Sequence, residues 1–415
     1  MNRSIALAAF ALSSVSCFDY KNDKIRGVNL GGWLVLEPWI TPSLFEPFKG
    51  KPKGHMAVDE YTFTKILKHK AKPILESHWK NFVTDNDFRI LRGAGINHVR
   101  IPVGYWAFNK TREEPFVDGS LEHLVRGVRL AKKYGIKALI DIHCAPLSQN
   151  GFDNSGRAGP AKFLSDTTSG LRMINVLKKT AKLFAKQEFR DTVTAIELVN
   201  EPASRKLNMN KLKWFYEKGY KVVRKYNPYV MVTFHDAFWS LERWEYLALK
   251  KNVMLDTHFY NVFDERLVKM NLQQHLNHSC GLSRKLERSK RFMPTFVGEW
   301  SLASTDCTRY LNGFMKGSRV ARNFKNQESP RLPASYNFKK DKCAQYDNAN
   351  KYTSGQKEFL KKFFKRQISV YENAGSGWFF WNFKAENSPE WNFIMGVKKG
   401  WIKIPKTTRN PCQRQ

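Results

Sequence analysis

Two glutamates, Glu201 and Glu299, stand where a carboxylate is expensive to keep. Each follows or closes an apolar, β-rich run, TAIELVNEP (194 to 202) and PTFVGE (294 to 299), and an acid at the mouth of a core strand must be compensated or put to use. Two carboxylates facing one cleft suit glycosidic bond hydrolysis. That reaction needs a neutral acid to protonate the leaving oxygen and an ionised partner to meet positive charge at the anomeric carbon. Glu299, with Arg100 and Tyr260 available to keep it ionised, suits the nucleophile. Glu201, beside Asn200 and with fewer cations around it, is expected to hold its proton longer and to act as acid/base. Glu197 lies two strand alternations earlier and deeper, on the same face, and reads as the partner of a buried base.

Other polar residues end similar runs: Arg100, His143, Asn200, His235, Asp236, His258, Tyr260 and Trp381. The three histidines could in principle meet around zinc. No HExxH or comparable helical pair accompanies them, and hydrogen bonding to sugar hydroxyls is the preferred reading, with no metal and no cofactor.

Around these residues the chain repeats one unit: a short apolar run, a polar or aromatic residue at its end, a loop, then an amphipathic helix. The runs are IRGVNL (25 to 30), NHVRI (97 to 101), IKALIDI (136 to 142), TAIELV (194 to 199), YVMVTF (229 to 234), VMLDTH (253 to 258), PTFVGE (294 to 299) and GWFFWN (377 to 382). Helical patterns lie between most of them, including LEHLVRGVRLAKKYG and TSGQKEFLKKFFKRQISVYENAG. Eight such strands predict an α/β fold, a (β/α)8 TIM barrel with loop insertions at the C-terminal face, where barrel enzymes build their sites. The insertions are 143 to 165 and 301 to 355. An open doubly wound sheet is the alternative, without a GxGxxG or P-loop signature to support it.

The chain has 415 residues, 42% of them hydrophobic, enough for one barrel-sized core. Residues 1 to 17, MNRSIALAAFALSSVSC, have the layout of a cleavable secretory signal, so 18 to 415 is expected to be a single secreted domain, extracellular or in a cell wall. Of six cysteines, Cys17 falls at the expected cleavage point and five remain, widely spaced and without zinc-ligand spacing, which favours disulfides and leaves one thiol unpaired. Asn109 and Asn277 begin glycosylation sequons. The net charge of +33 is spread along the chain and is compatible with non-specific polyanion or wall association, while signatures of specific nucleic-acid binding are absent.

The stretches KIRGVNLGGWLVLEPWITPSLFE, INHVRIPVGYWAF, DIHCAPLSQNGFDNSG, IELVNEP, DTHFYNVF, VGEWS and GWFFWNFKAE occur in order from residue 24. Together they resemble the fungal exo-β-1,3-glucanases of glycoside hydrolase family five. The resemblance implies a retaining exo-hydrolase that releases glucose from the non-reducing end of β-1,3-glucan, with transglycosylation as a side reaction; related β-glucans are further expected partners, and the chain is expected to be a monomer. It implies Glu201 as acid/base and Glu299 as nucleophile. Glu37, His143, Asn154, Asn200 and Trp381 would line the subsite for the terminal glucose; Arg100, His258 and Tyr260 would support the carboxylates; Phe152 and Phe263 would form an aromatic entrance. It also implies disulfides Cys280–Cys412 and Cys307–Cys343 with Cys144 free. The chain departs from the family pattern at Cys144 and Leu147, where glycines are usual, and at GRAGPAK (156 to 162), where an acidic residue is usual. An endo-acting β-glucanase or mannanase of the same barrel class, and a basic wall-binding protein with weak catalysis, are the alternatives.

Overall fold

The computed structural model describes residues 18–415 apart from 53, 325–331, 333–336, 338, 339, 341, 410, 411 and 413–415. The expected signal segment, residues 1 to 17, lies outside the described residues. Eight parallel strands close into a barrel in chain order. They are β1 (Ile25–Asn29), β2 (His98–Gly104), β3 (Lys137–Cys144), β4 (Val193–Glu197), β5 (Met231–His235), β6 (Val253–His258), β7 (Thr295–Glu299) and β8 (Gly377–Phe380). Closure comes from β1 pairing with β8, Ile25 opposite Gly377. That pairing rules out the open sheet and establishes the (β/α)8 expectation.

The helices obey the amphipathic pattern. Thr167–Phe184 is capped by Asp166, which accepts from the Ser169 amide, and buries Met173, Val176, Leu177, Thr180, Ala181 and Phe184. This is a stripe at helical spacing. Ser354–Ala374 starts from a capping box between Thr353 and Gln356. The fifth unit is irregular, its connection containing a 3-10 helix, Leu241–Leu249.

Strand alternation fills the barrel in layers. Ile25, Leu139, Ala195, Met254, Phe296 and Phe379 form an apolar floor, and Tyr20 packs against it, donating to Thr194 and lying 3.0 Å from the Nε2 of His98. Two residues further along the strands, the inward positions become Arg100, Asp141, Glu197, Thr233, Asp256 and Gly298, all buried. A register shift between Thr257 and His258 sets His258 opposite Glu299.

Disulfides join Cys280 to Cys412 and Cys307 to Cys343, and Cys144 is a buried free thiol, as the resemblance implied. Of the sequon asparagines, Asn277 is exposed and Asn109 half-buried. No described helix is long and apolar enough to cross a membrane.

Candidate active site

The C-terminal ends of the strands open into a large cleft whose floor carries Glu37, Glu201, Glu299, His258, Tyr260 and Trp381. Glu299 ends β7. Its Oε1 accepts from Arg100 Nη1 at 3.0 Å and its Oε2 from the Tyr260 hydroxyl at 2.8 Å. Glu201 follows β4 at φ +45°, a backbone region uncommon for residues with a Cβ. It accepts from Asn154 Nδ2 at 3.0 Å and lies 2.8 Å from His258 Nδ1. The same His258 nitrogen is 3.4 Å from Glu299. One imidazole therefore ties the two carboxylates together.

Arg100 is wholly buried and anchors the layer beneath. It reaches Glu197 at 2.9 Å, Asp141 at 3.1 Å, Asn29 at 2.9 Å and Asn200 at 2.7 Å as well as Glu299. Burial alone would lower its pKa, but the surrounding carboxylates outweigh that and raise it. Glu197 is thus the buried partner of a base that its strand position implied. Of the two candidate catalytic glutamates, Arg100 and Tyr260 contact only Glu299, whereas His258 contacts both.

The protonation order departs from expectation. Burial pushes Glu201 up, yet the hydrogen bonds from His258 and Asn154 and the charge on His258 bring it below its ordinary value. Glu299 is raised, by burial first and by the Glu201 charge against the pull of His258 and Arg100. The shorter His258 contact falls to Glu201 and favours its carboxylate form. Two acids this close titrate as a unit. His258 is raised despite burial, by Glu299 and Asp256, and Asp236, buried beside Thr257, is pushed up to about 7.

Glu37 sits on the floor, its Oε2 accepting from Trp39 Nε1 at 2.9 Å, while its Oε1 is unpartnered. Burial and the nearby charges of Asp153 and Glu299 raise its pKa well above normal. Asn154, Phe152, Phe263 and Trp381 also face the cleft. His143 and Asn200, expected to line it, are fully buried behind its wall. His143 stacks on Trp381 with ring centres 5.5 Å apart, and its Nε2 lies 3.4 Å from the Asn200 amide. Gly31 leaves room for that indole, since a Cβ there would lie 2.7 Å from the Trp381 ring.

His143, His235 and His258 do not form a common cluster. His235 packs on His258 at 4.5 Å, and Glu201, His235 and His258 bring ligand atoms within 4.8 Å of one another. But His258 faces carboxylates through both nitrogens, which favours the imidazolium, a donor and not a metal ligand.

Asp141 and Asp256 escaped sequence reasoning. Asp141 lies 2.6 Å from His143 Nδ1, and Asp256 lies 3.4 Å from His258 Nε2 and accepts from the Gly298 amide at 2.8 Å. The signal was present as DIH and DTH, an acid two residues before a histidine and so on the same strand face. The wall formed by the segment after β1 was also missed: Trp39, Met56, Val58, Tyr61, Lys65 and Ile66 face the cleft beside the anticipated insertions. Cys144 does not reach the cleft; its thiol donates to the Asn154 carbonyl at 3.4 Å and supports that residue from behind.

A closed barrel with paired carboxylates at β4 and β7 defines the class as a barrel hydrolase. Residues 67–323 match the model of the cellulase family, glycosyl hydrolase family 5. The chain is 38% identical to the probable glucan 1,3-beta-glucosidase A of Aspergillus fumigatus, covering 97% of this chain and 93% of that one. It is 39% identical to the glucan 1,3-beta-glucosidase of Schwanniomyces occidentalis, with 95% and 92% covered. The solved rutinosidase from Aspergillus niger shares the fold at a TM-score of 0.72 and 20% identity, with 93% of this chain and 99% of that one covered. The chain belongs to glycosyl hydrolase family 5 and is a glycoside hydrolase.

Proposed function

We propose that this protein is a secreted exo-β-1,3-glucanase that removes glucose from the non-reducing end of β-glucan with retention of configuration, residues 18–415 acting as one catalytic domain. The observation that carries the mechanism is the His258 nitrogen at 2.8 Å from Glu201 and 3.4 Å from Glu299. The two facing oxygens can then be no more than about 6.2 Å apart, short of the ~6.5–9.5 Å that an inverting enzyme needs to seat a water.

In the first step the Glu299 carboxylate attacks the anomeric carbon while Glu201 gives its proton to the departing oxygen; this places the proton on Glu201, the reverse of what the surroundings of the two acids favour in the empty site, so the bound sugar must shift it. Arg100 and Tyr260 fix both oxygens of Glu299 for that attack. The ester that forms removes the charge on Glu299, and Glu201, now ionised, takes a proton from the water that attacks the anomeric carbon, breaks the ester and frees the Glu299 carboxylate and β-glucose. The hydrogen bonds that hold Glu201 below its ordinary pKa favour this second role. A sugar hydroxyl in place of water gives transglycosylation. Glu37, Asn154 and Trp381 hold the terminal glucose and Phe152 and Phe263 flank the next ring, flat apolar surfaces suiting sugar faces.

Exo action is supported by the walls that the segments 37–66, 151–160 and 311–324 build around the floor. The experiment is product analysis on laminarin with early NMR spectra: β-glucose as first product is expected. Oligosaccharides cut from the chain interior would overturn the exo reading, and α-glucose appearing first would overturn retention.

A further inference from the structure

The charge of the cleft changes sign between floor and mouth. The carboxylates facing it are Glu37, Asp153, Glu201 and Glu299, and the last three all act electrostatically on Glu37, so they gather at the floor. The cations facing it are Lys65, Arg205, Lys206, Lys316 and Arg319. Arg319 is neutralised by Asp306 at 3.1 Å. Lys206 lies 4.7 Å over the Phe152 ring with its ammonium on the Asn150 carbonyl, which leaves its charge uncompensated. Lys65 and Arg205 are exposed, and neither forms an ion pair with a described residue. One helical turn before Lys65, Tyr61 faces the cleft beneath Arg157, whose guanidinium is 4.3 Å from the ring. Arg157 belongs to the GRAGPAK stretch, where the chain departs from an acidic pattern. Asp59, whose carboxylate feels the Arg157 charge, is buried and already accepts from Thr62 and the Ala158 amide.

Neutral glucan gives such cations little to bind. An anion gains from several of them at once, because a concave wall of one sign focuses the field. We propose that the mouth of the cleft is a subsite for a leaving-group or acceptor sugar bearing an anionic group, carboxylate or phosphate, recognised by Lys65 and Arg205. The inference rests on the glucosidase reading above. The anionic group is a spectator: the bond broken is still from the anomeric carbon to the leaving oxygen, which takes its proton from Glu201.

The test compares kcat/KM for three substrates with the same glucosyl group: laminaribiitol, neutral; laminaribionate, with a carboxylate; and laminaribiose phosphorylated on the 6-hydroxyl of its reducing glucose. The enzyme should favour the anionic substrates by about three- to tenfold at low ionic strength, chiefly through KM, and added salt should erode the preference. A Lys65→Ala, Arg205→Ala double variant should bring the ratio of anionic to neutral substrate close to one. A Lys361→Ala, Lys362→Ala variant, which loses the same charge on the helix Ser354–Ala374 outside the cleft, should keep it. Preference for only one anionic substrate supports the subsite and assigns its group. Equal kcat/KM for all three overturns the inference and leaves the glucosidase reading standing, as does a preference abolished equally by both double variants, which would trace it to net charge. Failure to cleave any of the three overturns the glucosidase reading instead.

Discussion

At the scale of single residues, the proposed roles of the two glutamates separate by rescue chemistry. Glu201→Ala should lose about 10²–10⁴-fold in turnover on glucan, the range of a general acid. It should keep much of its rate on an aryl glucoside whose leaving group needs no proton, and added azide should yield β-glucosyl azide. Glu299→Ala should give the α-azide, and the reverse pattern would exchange the roles. Tyr260→Phe removes the donor on Glu299 Oε2. A carboxylate that loses a donor ionises less readily, so the acid limb of the pH–rate profile should move to higher pH, with turnover down roughly tenfold. An unmoved limb would place Tyr260 outside the titration of the pair. The glutamates, Arg100 and His258 were legible in sequence because each ends an apolar run. Which glutamate His258 holds more closely was not, since it follows from a difference of about 0.6 Å in the reach of one imidazole nitrogen.

At the scale of elements, β6 and β7 carry the electrostatic support. Gly298 donates its amide to Asp256, and a Cβ at that position would fall 2.1 Å from both carboxylate oxygens. Gly298→Ala must therefore push Asp256 away from His258 and Arg100. It should cost activity well beyond its effect on thermal stability, read as kcat against Tm; a fall in Tm alone would assign Gly298 to packing. The strands themselves were readable from β-rich runs between turn residues, their bounds shifting by a few positions. The irregular fifth connection and the wall after β1 were less so, because a loop's path is set by what it packs on and not by its own periodicity.

At the scale of the whole molecule, buried ionisable groups away from the cleft set opposing pH limits. Burial holds His98 down to about 3 and His275 to about 4. The unfolded chain protonates these imidazoles near the ordinary 6.5 while the folded chain does not, so stability falls as pH drops below that value. Glu60 and Glu390 are raised by burial to about 8. They ionise near 4.5 when unfolded but keep their protons when folded, so stability falls as pH rises from 4.5 through 8. Thermal melts should show maximal Tm between these limits, and Glu60→Gln with Glu390→Gln should flatten the fall above pH 6.5; an unchanged slope would sink this account. The barrel was readable from the order of residues alone, because eight apolar runs alternating with amphipathic stretches have few other ways to bury their faces. That order also marked the two glutamates and, through family resemblance, both disulfides. Folding in three dimensions put His143 and Asn200 behind the cleft wall, made His258 bridge both acids, and left the floor acidic and the mouth basic. Those facts depend on distances between residues far apart in the chain, and burial and Coulomb energies are fixed by separation in space.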